Sequence, residues 1–167
     1  FEALPVLPDR RLTGCDDPFA EIREADVLLH FPYQSFNVVT QLMERASVDD
    51  NVQHIGITLY RVAKDSAICK ALEVAASRGK RVTAFIEVQA RFDEESNLYW
   101  GERLEQAGVN VLYSYENIKV HTKLFLIERK ERGKVQKYAY LGTGNFNEKT
   151  ARVYCDHALI TCDEALC

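Results

Sequence analysis

No apolar run in this 167-residue sequence approaches the roughly 20 residues needed to cross a bilayer. The longest, such as Val27 to Leu29 and Leu124 to Ile127, span only a few residues, so no membrane-spanning helix is expected. The five cysteines (Cys15, Cys69, Cys155, Cys162, Cys167) form no C-x-x-C pair and no regular spacing. That argues against a zinc site or a disulfide framework, and free thiols suit a reducing cytoplasm. Charge of one sign is lacking too: 21 basic residues face 25 acidic ones, a formal net charge of −4, which excludes a whole-molecule polycation of the kind that coats nucleic acid. No internal repeat, low-complexity block or Pro-Gly linker divides the chain. It starts at Phe1 without an initiator methionine or a basic-then-apolar signal pattern. The expectation is a piece of a longer protein.

What is present is the composition of a globular domain, 47% hydrophobic and 28% charged. The length fits one domain. The charge is uneven: residues 1–26 hold seven acidic and three basic side chains, and the remainder balances at zero. Residues 1–24, with Pro5, Pro8 and Pro18, read as an interdomain arm or packing segment, leaving 25–167 as the domain. Between Lys119 and Lys137 seven Lys or Arg residues face only Glu128 and Glu131. Such a run is either an anion site or a solvated strand-and-turn face.

Hydrophobic period predicts seven strands, at Asp26 to Phe31, Gln53 to Tyr60, Arg81 to Val88, Val109 to Ser114, Lys123 to Arg129, Gln136 to Leu141 and His157 to Thr161. Helical patterns separate the first four. One is capped by Ser35, one starts at Asp65 or Ser66 and closes at Gly79, and one starts near Asp93 with Leu98 and Leu104 inward and closes at Gly108. Strand–helix alternation builds a largely parallel sheet, and the strand-rich second half, turning at Gly133, adds hairpin strands. The fold class expected is α/β.

In an open α/β sheet the site forms just past the carboxyl ends of strands. Arg61 and Arg91 follow two successive inner strand runs at matching positions. A permanently charged fork at each suits a phosphate or carboxylate clamp. His121 and Lys123, two apart in an extended chain, share a face. A neutral imidazole beside an ammonium is a nucleophile suited to phosphorus, with the cation balancing non-bridging oxygens. Gly142-Thr143-Gly144-Asn145 follows after one hairpin. Its glycines let backbone amides approach an anion, and Asn145 can hold the imidazole or a phosphate oxygen. His30, His54 and His157, in or at the start of strand runs, are expected as structural groups, the first and last of them in the core.

His121-x-Lys123 with Gly142-Thr143-x-Asn145 is similar to the phospholipase D superfamily signature, except that Glu128 stands where that family has Asp. Longer strings resemble the polyphosphate kinase family of the long, histidine-phosphorylated type. They are residues 27–36 (VLLHFPYQSF), 58–66 (TLYRVAKDS), 90–97 (ARFDEESN), 141–147 (LGTGNFN) and 149–154 (KTARVY). The resemblance implies a phospholipase D-like mixed sheet of about seven strands with helices on both faces. This would be the first of two such domains in a larger multidomain enzyme. It implies that His121 takes the γ-phosphate of ATP and passes it reversibly to inorganic polyphosphate. It further implies that Arg61 and Arg91 lie at the Mg2+ and phosphate site, through shared phosphate oxygens, and that Tyr154 packs on the nucleotide. Lys123 and Asn145 complete the phosphate contacts. Partners would be ATP or ADP, polyphosphate, the remaining domains and further copies of the enzyme, with no nucleic acid. The location would be the cytoplasm or the periphery of the inner membrane.

Two other readings stay open. A phosphodiesterase of the phospholipase D kind would need a second His-x-Lys motif, in the chain or by dimerisation, and only one is present. An isolated domain could also serve as a non-catalytic polyanion-binding module.

Overall fold

The computed structural model describes residues 5–90, 94–115 and 118–167. Asp17 opens the first helix, α1 (Pro18–Glu24), by accepting from the amides of Phe19 and Ala20 at 3.1 and 3.2 Å. Pro18 sits in the first turn, where its missing N–H costs nothing. Phe19 and Ile22 are buried in the common core, and so is Leu12. The N-terminal segment therefore packs on the sheet over part of its length.

Strands β1 (Val27–Phe31), β2 (Val52–Leu59), β3 (Arg81–Ile86) and β4 (Asn110–Tyr113) alternate with helices α2 (Asn37–Val48), α3 (Ala67–Ser77) and α4 (Glu94–Gln106). Ser66 caps α3 by accepting from the Cys69 amide at 3.2 Å. Ser35 accepts from the Asn37 amide at 3.2 Å, one residue before the N-cap position of α2. Gly79 follows the end of α3 at φ +79°, a conformation that costs a residue with Cβ energy. The inward side of α4 differs from expectation: Leu104 is buried, but Leu98 is 46% exposed, and Asn97, Trp100 and Gly101 fill the inner face. The Trp100 indole N–H donates to the carbonyl of Ala63 at 2.9 Å, a bond that favours indole on that face.

After α4 and β4 come β5 (Lys123–Glu131), β6 (Lys134–Gly142) and, past a short 3-10 turn (Thr150–Arg152), β7 (Asp156–Thr161). The β5–β6 turn uses Arg132 at φ 47° and Gly133 at φ 81°, the positive pair that matches the twist of a two-residue hairpin. All seven strands form one sheet in the order β1-β7-β6-β5-β2-β3-β4. Only β2–β3 and β3–β4 pair in parallel, and the other four neighbours are antiparallel. The hairpin strands thus do not extend an edge of a largely parallel sheet. They lie in its middle, between β1 and β2.

Three crossovers, β1 to β2, β2 to β3 and β3 to β4, all advance in one direction across the sheet. Right-handed connections then place α2, α3 and α4 on one face. The helices pack in series there, α2 on α3 and α3 on α4. The strand side chains facing them are buried in register: Ile57, Phe125, Tyr140, Ile160 and Val27 form one row. The seven-stranded mixed sheet is as expected, with a refinement: these helices share one face rather than flanking both. On the opposite face Leu28 and Leu141, in one row with Leu159 and Leu124, are 67% and 37% exposed.

Candidate functional site

β1, β2, β3, β4 and β6 all end at the rim of the sheet where β5 and β7 begin. This convergence brings Arg61, His121, Lys123 and residues 142–145 to one edge. The start of β5 is pinned to the end of β2 by Thr58. Its hydroxyl donates to the Thr122 carbonyl at 2.8 Å and accepts from the Leu124 amide at 3.1 Å.

Tyr60 is the centre of the cluster, although the sequence pattern singled it out only as the end of a strand. Its ring centroid lies 4.9 Å from that of His121 in an edge-on contact. The Lys123 ammonium is 5.1 Å from it and the Arg61 guanidinium 5.8 Å. The electron-rich ring face suits both cations. Lys123 is only 6% exposed, and its Nζ donates to the His121 carbonyl at 2.5 Å. His121 itself is exposed.

The electrostatics follow from this crowding. Partial burial, then the charges of Lys123, Arg61 and Lys119, hold the His121 imidazole below its ordinary pKa of 6.5. The neutral ring persists to lower pH than a free histidine would allow. Burial also lowers Lys123, with Arg61 acting in the same direction and Asp156 against it.

Asp156, at the start of β7, is an acidic member of the site that the sequence pattern did not reveal. Thr143 Oγ1 donates to Asp156 Oδ1 at 2.8 Å and accepts from the His157 amide at 3.1 Å, closing the 142–145 loop on β7. A Cβ on Gly144 would stand 2.5 Å from the Asp156 carboxylate, and one on Gly142 would stand 2.6 Å from the Tyr140 ring. These glycines are thus required by neighbouring side chains. Asn145 Oδ1 is buried without a hydrogen-bond partner among the described residues, an acceptor left over at the rim.

Not every expected residue is seen in this cluster. Glu128 is far along β5, where its carboxylate pairs with Arg81 at 3.0 Å and His54 at 3.5 Å, so it is not an acidic member of this site. Tyr154, 59% exposed, stands just after the 3-10 turn, its amide bonded to the Thr150 carbonyl at 3.0 Å. Arg91 lies outside the described residues. His30 and His157 are not core groups: at the outer β1–β7 pair their rings stack 4.3 Å apart, and His157 is exposed. Among the described residues no group of three His, Cys, Asp or Glu side chains could hold a metal ion. Guanidinium has no lone pair for one. The donors at the rim suit phosphate oxygens and do not form a metal cage.

Comparisons with known proteins give the family and the fold. A family model described as polyphosphate kinase C-terminal domain 1 matches residues 17–167. A polyphosphate kinase of Escherichia coli (strain K12) is 55% identical over 145 residues, covering 87% of this chain and 21% of that protein. One of Vibrio vulnificus (strain YJ016) is 47% identical over 163 residues, covering 98% and 23%. The chain therefore spans about a fifth of the length of the curated relatives it matches. Among solved structures, polyphosphate kinase from Porphyromonas gingivalis superposes with a TM-score of 0.83 at 39% identity, over 98% of this chain and 25% of that one. Nuc, a phospholipase D family member from Salmonella typhimurium, superposes with a TM-score of 0.63 at 18% identity, over 83% of each chain, a likeness of fold alone. The fold is phospholipase D-like.

Proposed function

Because the chain belongs to the polyphosphate kinase C-terminal domain 1 family, we propose that it is the histidine-bearing domain of a phosphotransferase that moves the γ-phosphate of ATP to inorganic polyphosphate. The observation that carries this reading is the place of His121, an accessible imidazole edge-on to Tyr60 and beside Lys123, where partial burial and the charges of Lys123, Arg61 and Lys119 lower its pKa.

A neutral ring nitrogen of His121 attacks the γ-phosphorus, the bond from that phosphorus to the bridging oxygen of ADP breaks, and ADP leaves with the electron pair. The resulting phosphohistidine then gives the phosphoryl group to the terminal oxygen of a polyphosphate chain, and both steps run in reverse. Such transfer asks the protein for positioning and charge stabilisation above all. Lys123 and Arg61 meet the non-bridging oxygens, Asn145 orients the ring or an oxygen, and Arg91 joins the phosphate contacts. Tyr154 offers an exposed ring to the nucleotide base. Mg2+ would be carried by the phosphates, which the Arg pair contacts through shared oxygens, and it would supply charge neutralisation there.

Residues 1–24 serve as the arm to the other domains of the parent enzyme and 25–167 as the catalytic domain, with α1 as the point where the arm docks. The enzyme works as a homo-oligomer in the cytoplasm or at the inner membrane periphery. No helix among the described residues is long and apolar enough to cross a membrane. The test is His121→Ala in the full-length protein. Loss of acid-labile labelling from γ-labelled ATP is expected, and labelling at the wild-type level would overturn the assignment.

A further inference from the structure

We infer that Glu87 is a positioning residue that holds His121 in place through the backbone of Val120. The inference rests on the reading of His121 as nucleophile. Glu87 directly follows β3 and is fully buried, with no exposure at all. Burying a carboxylate is costly unless its oxygens are filled by donors. Here both are used: Oε1 accepts from the Gln89 amide at 2.7 Å and from the Ser114 hydroxyl at 2.9 Å, and Oε2 accepts from the Val120 amide at 2.8 Å. A neutral amide of the same size has one acceptor atom, so only a carboxylate takes donors on both sides.

The position of this bond gives it a role. His121 lies among residues 118–122, directly before β5, none of which belongs to a strand. Its two chain neighbours are anchored instead, Val120 N–H to Glu87 Oε2 and the Thr122 carbonyl to the Thr58 hydroxyl. The backbone of an exposed ring is thereby fixed on both sides. The same hub reaches the segment bearing Arg61. Asn97, also fully buried, donates from Nδ2 to the carbonyls of Glu87 and Tyr60, each at 2.7 Å, and accepts from the Val62 amide at 3.3 Å. Arg61, between Tyr60 and Val62, and His121 are therefore held from one buried polar centre.

The test uses Glu87→Gln in the full-length enzyme. The amide's one oxygen stays with the two donors on the Oε1 side, which turns its N–H2 at the Val120 amide and removes that tether. The expected result is a fall of about tenfold or more in the single-turnover rate of phosphoenzyme formation, because small misplacements of a nucleophile are costly. Nucleotide affinity should stay within about twofold, since no group that meets nucleotide has changed. Hydrogen exchange across residues 118–122 should quicken. A wild-type rate with unchanged exchange in folded Glu87→Gln overturns the inference. Should that variant fail to fold, Val120→Pro removes the donor and leaves the hub its other bonds. The same loss of rate is expected, and a wild-type rate overturns the inference. Labelling that survives His121→Ala refutes the nucleophile itself, an outcome separate from any result at Glu87.

Discussion

The two ends of β5 carry cations in opposite states of compensation. At the far end Arg129 donates to Asp49 at 2.8 Å and to Glu131 at 2.6 Å, and its guanidinium lies 5.0 Å from the Phe19 ring. Glu131 also accepts from Arg23 at 2.8 Å and from the Tyr138 hydroxyl at 2.6 Å. At the near end Lys123 spends a donor on the carbonyl of His121 and faces the ring of Tyr60. The first arrangement closes charge on itself and locks strand to helix. The second leaves ammonium and imidazole side by side, where burial first and the charge of Arg61 after it depress both pKa values. One strand thus separates a charge cluster closed on itself from the cationic cluster at the sheet rim.

Breaking the closed end should have the largest effect on stability and little on chemistry. Arg129→Ala strips a guanidinium that retains only 15% exposure and leaves Asp49 and Glu131 without it. The expected loss is roughly 2 to 4 kcal/mol in urea unfolding, with the transfer rate per folded molecule preserved. Equal loss of both would erase the distinction between the two ends.

At the open end the expectation reverses. Lys123→Ala should cut phosphoenzyme formation by about ten- to a hundredfold, a barrier increase of about 1.4 to 2.7 kcal/mol, as expected for losing one charge-stabilising donor. It also removes one of the charges that lower His121. The His121 pKa then rises toward its ordinary 6.5, the protonated and unreactive fraction grows at a given pH, and the acid limb of the rate–pH profile moves upward. An acid limb that stays in place would show that Lys123 does not tune the imidazole. The smallest effect belongs to the surface pair of Arg103 with Glu73, where Arg103 is 43% exposed. Arg103→Ala should cost under about 1 kcal/mol in the same unfolding measurement and leave transfer unaltered.

Much of this was legible before any coordinates. Alternating burial writes a period of two into β1, most of β2 and β3, and the Gly79, Gly108 and Gly133 breaks require conformations that the residue type advertises. His121 with Lys123 and the 142–145 loop was recognisable because short-range spacing sets which side chains share a face. The inward face of α4 was misjudged at Leu98 because the buried Asn97 and Trp100 take that face with hydrogen bonds to Tyr60, Glu87 and Ala63, partners from other segments.

Local periodicity and turn chemistry, then, were enough for the α/β class, the strand inventory and the pairing of His121 with Lys123 at the start of a strand. Strand order was a tertiary decision, since hydrophobic alternation says which face is buried and nothing about which strand lies alongside. Placing β7, β6 and β5 between β1 and β2 sets His121 beside Tyr60 and Arg61, brings Asp156 within range of Lys123, and excludes Glu128 to the other end. Glu87 belongs to the same category: a lone carboxylate in an apolar run acquires meaning only when the fold delivers the Val120 amide, 33 residues away, to its second oxygen.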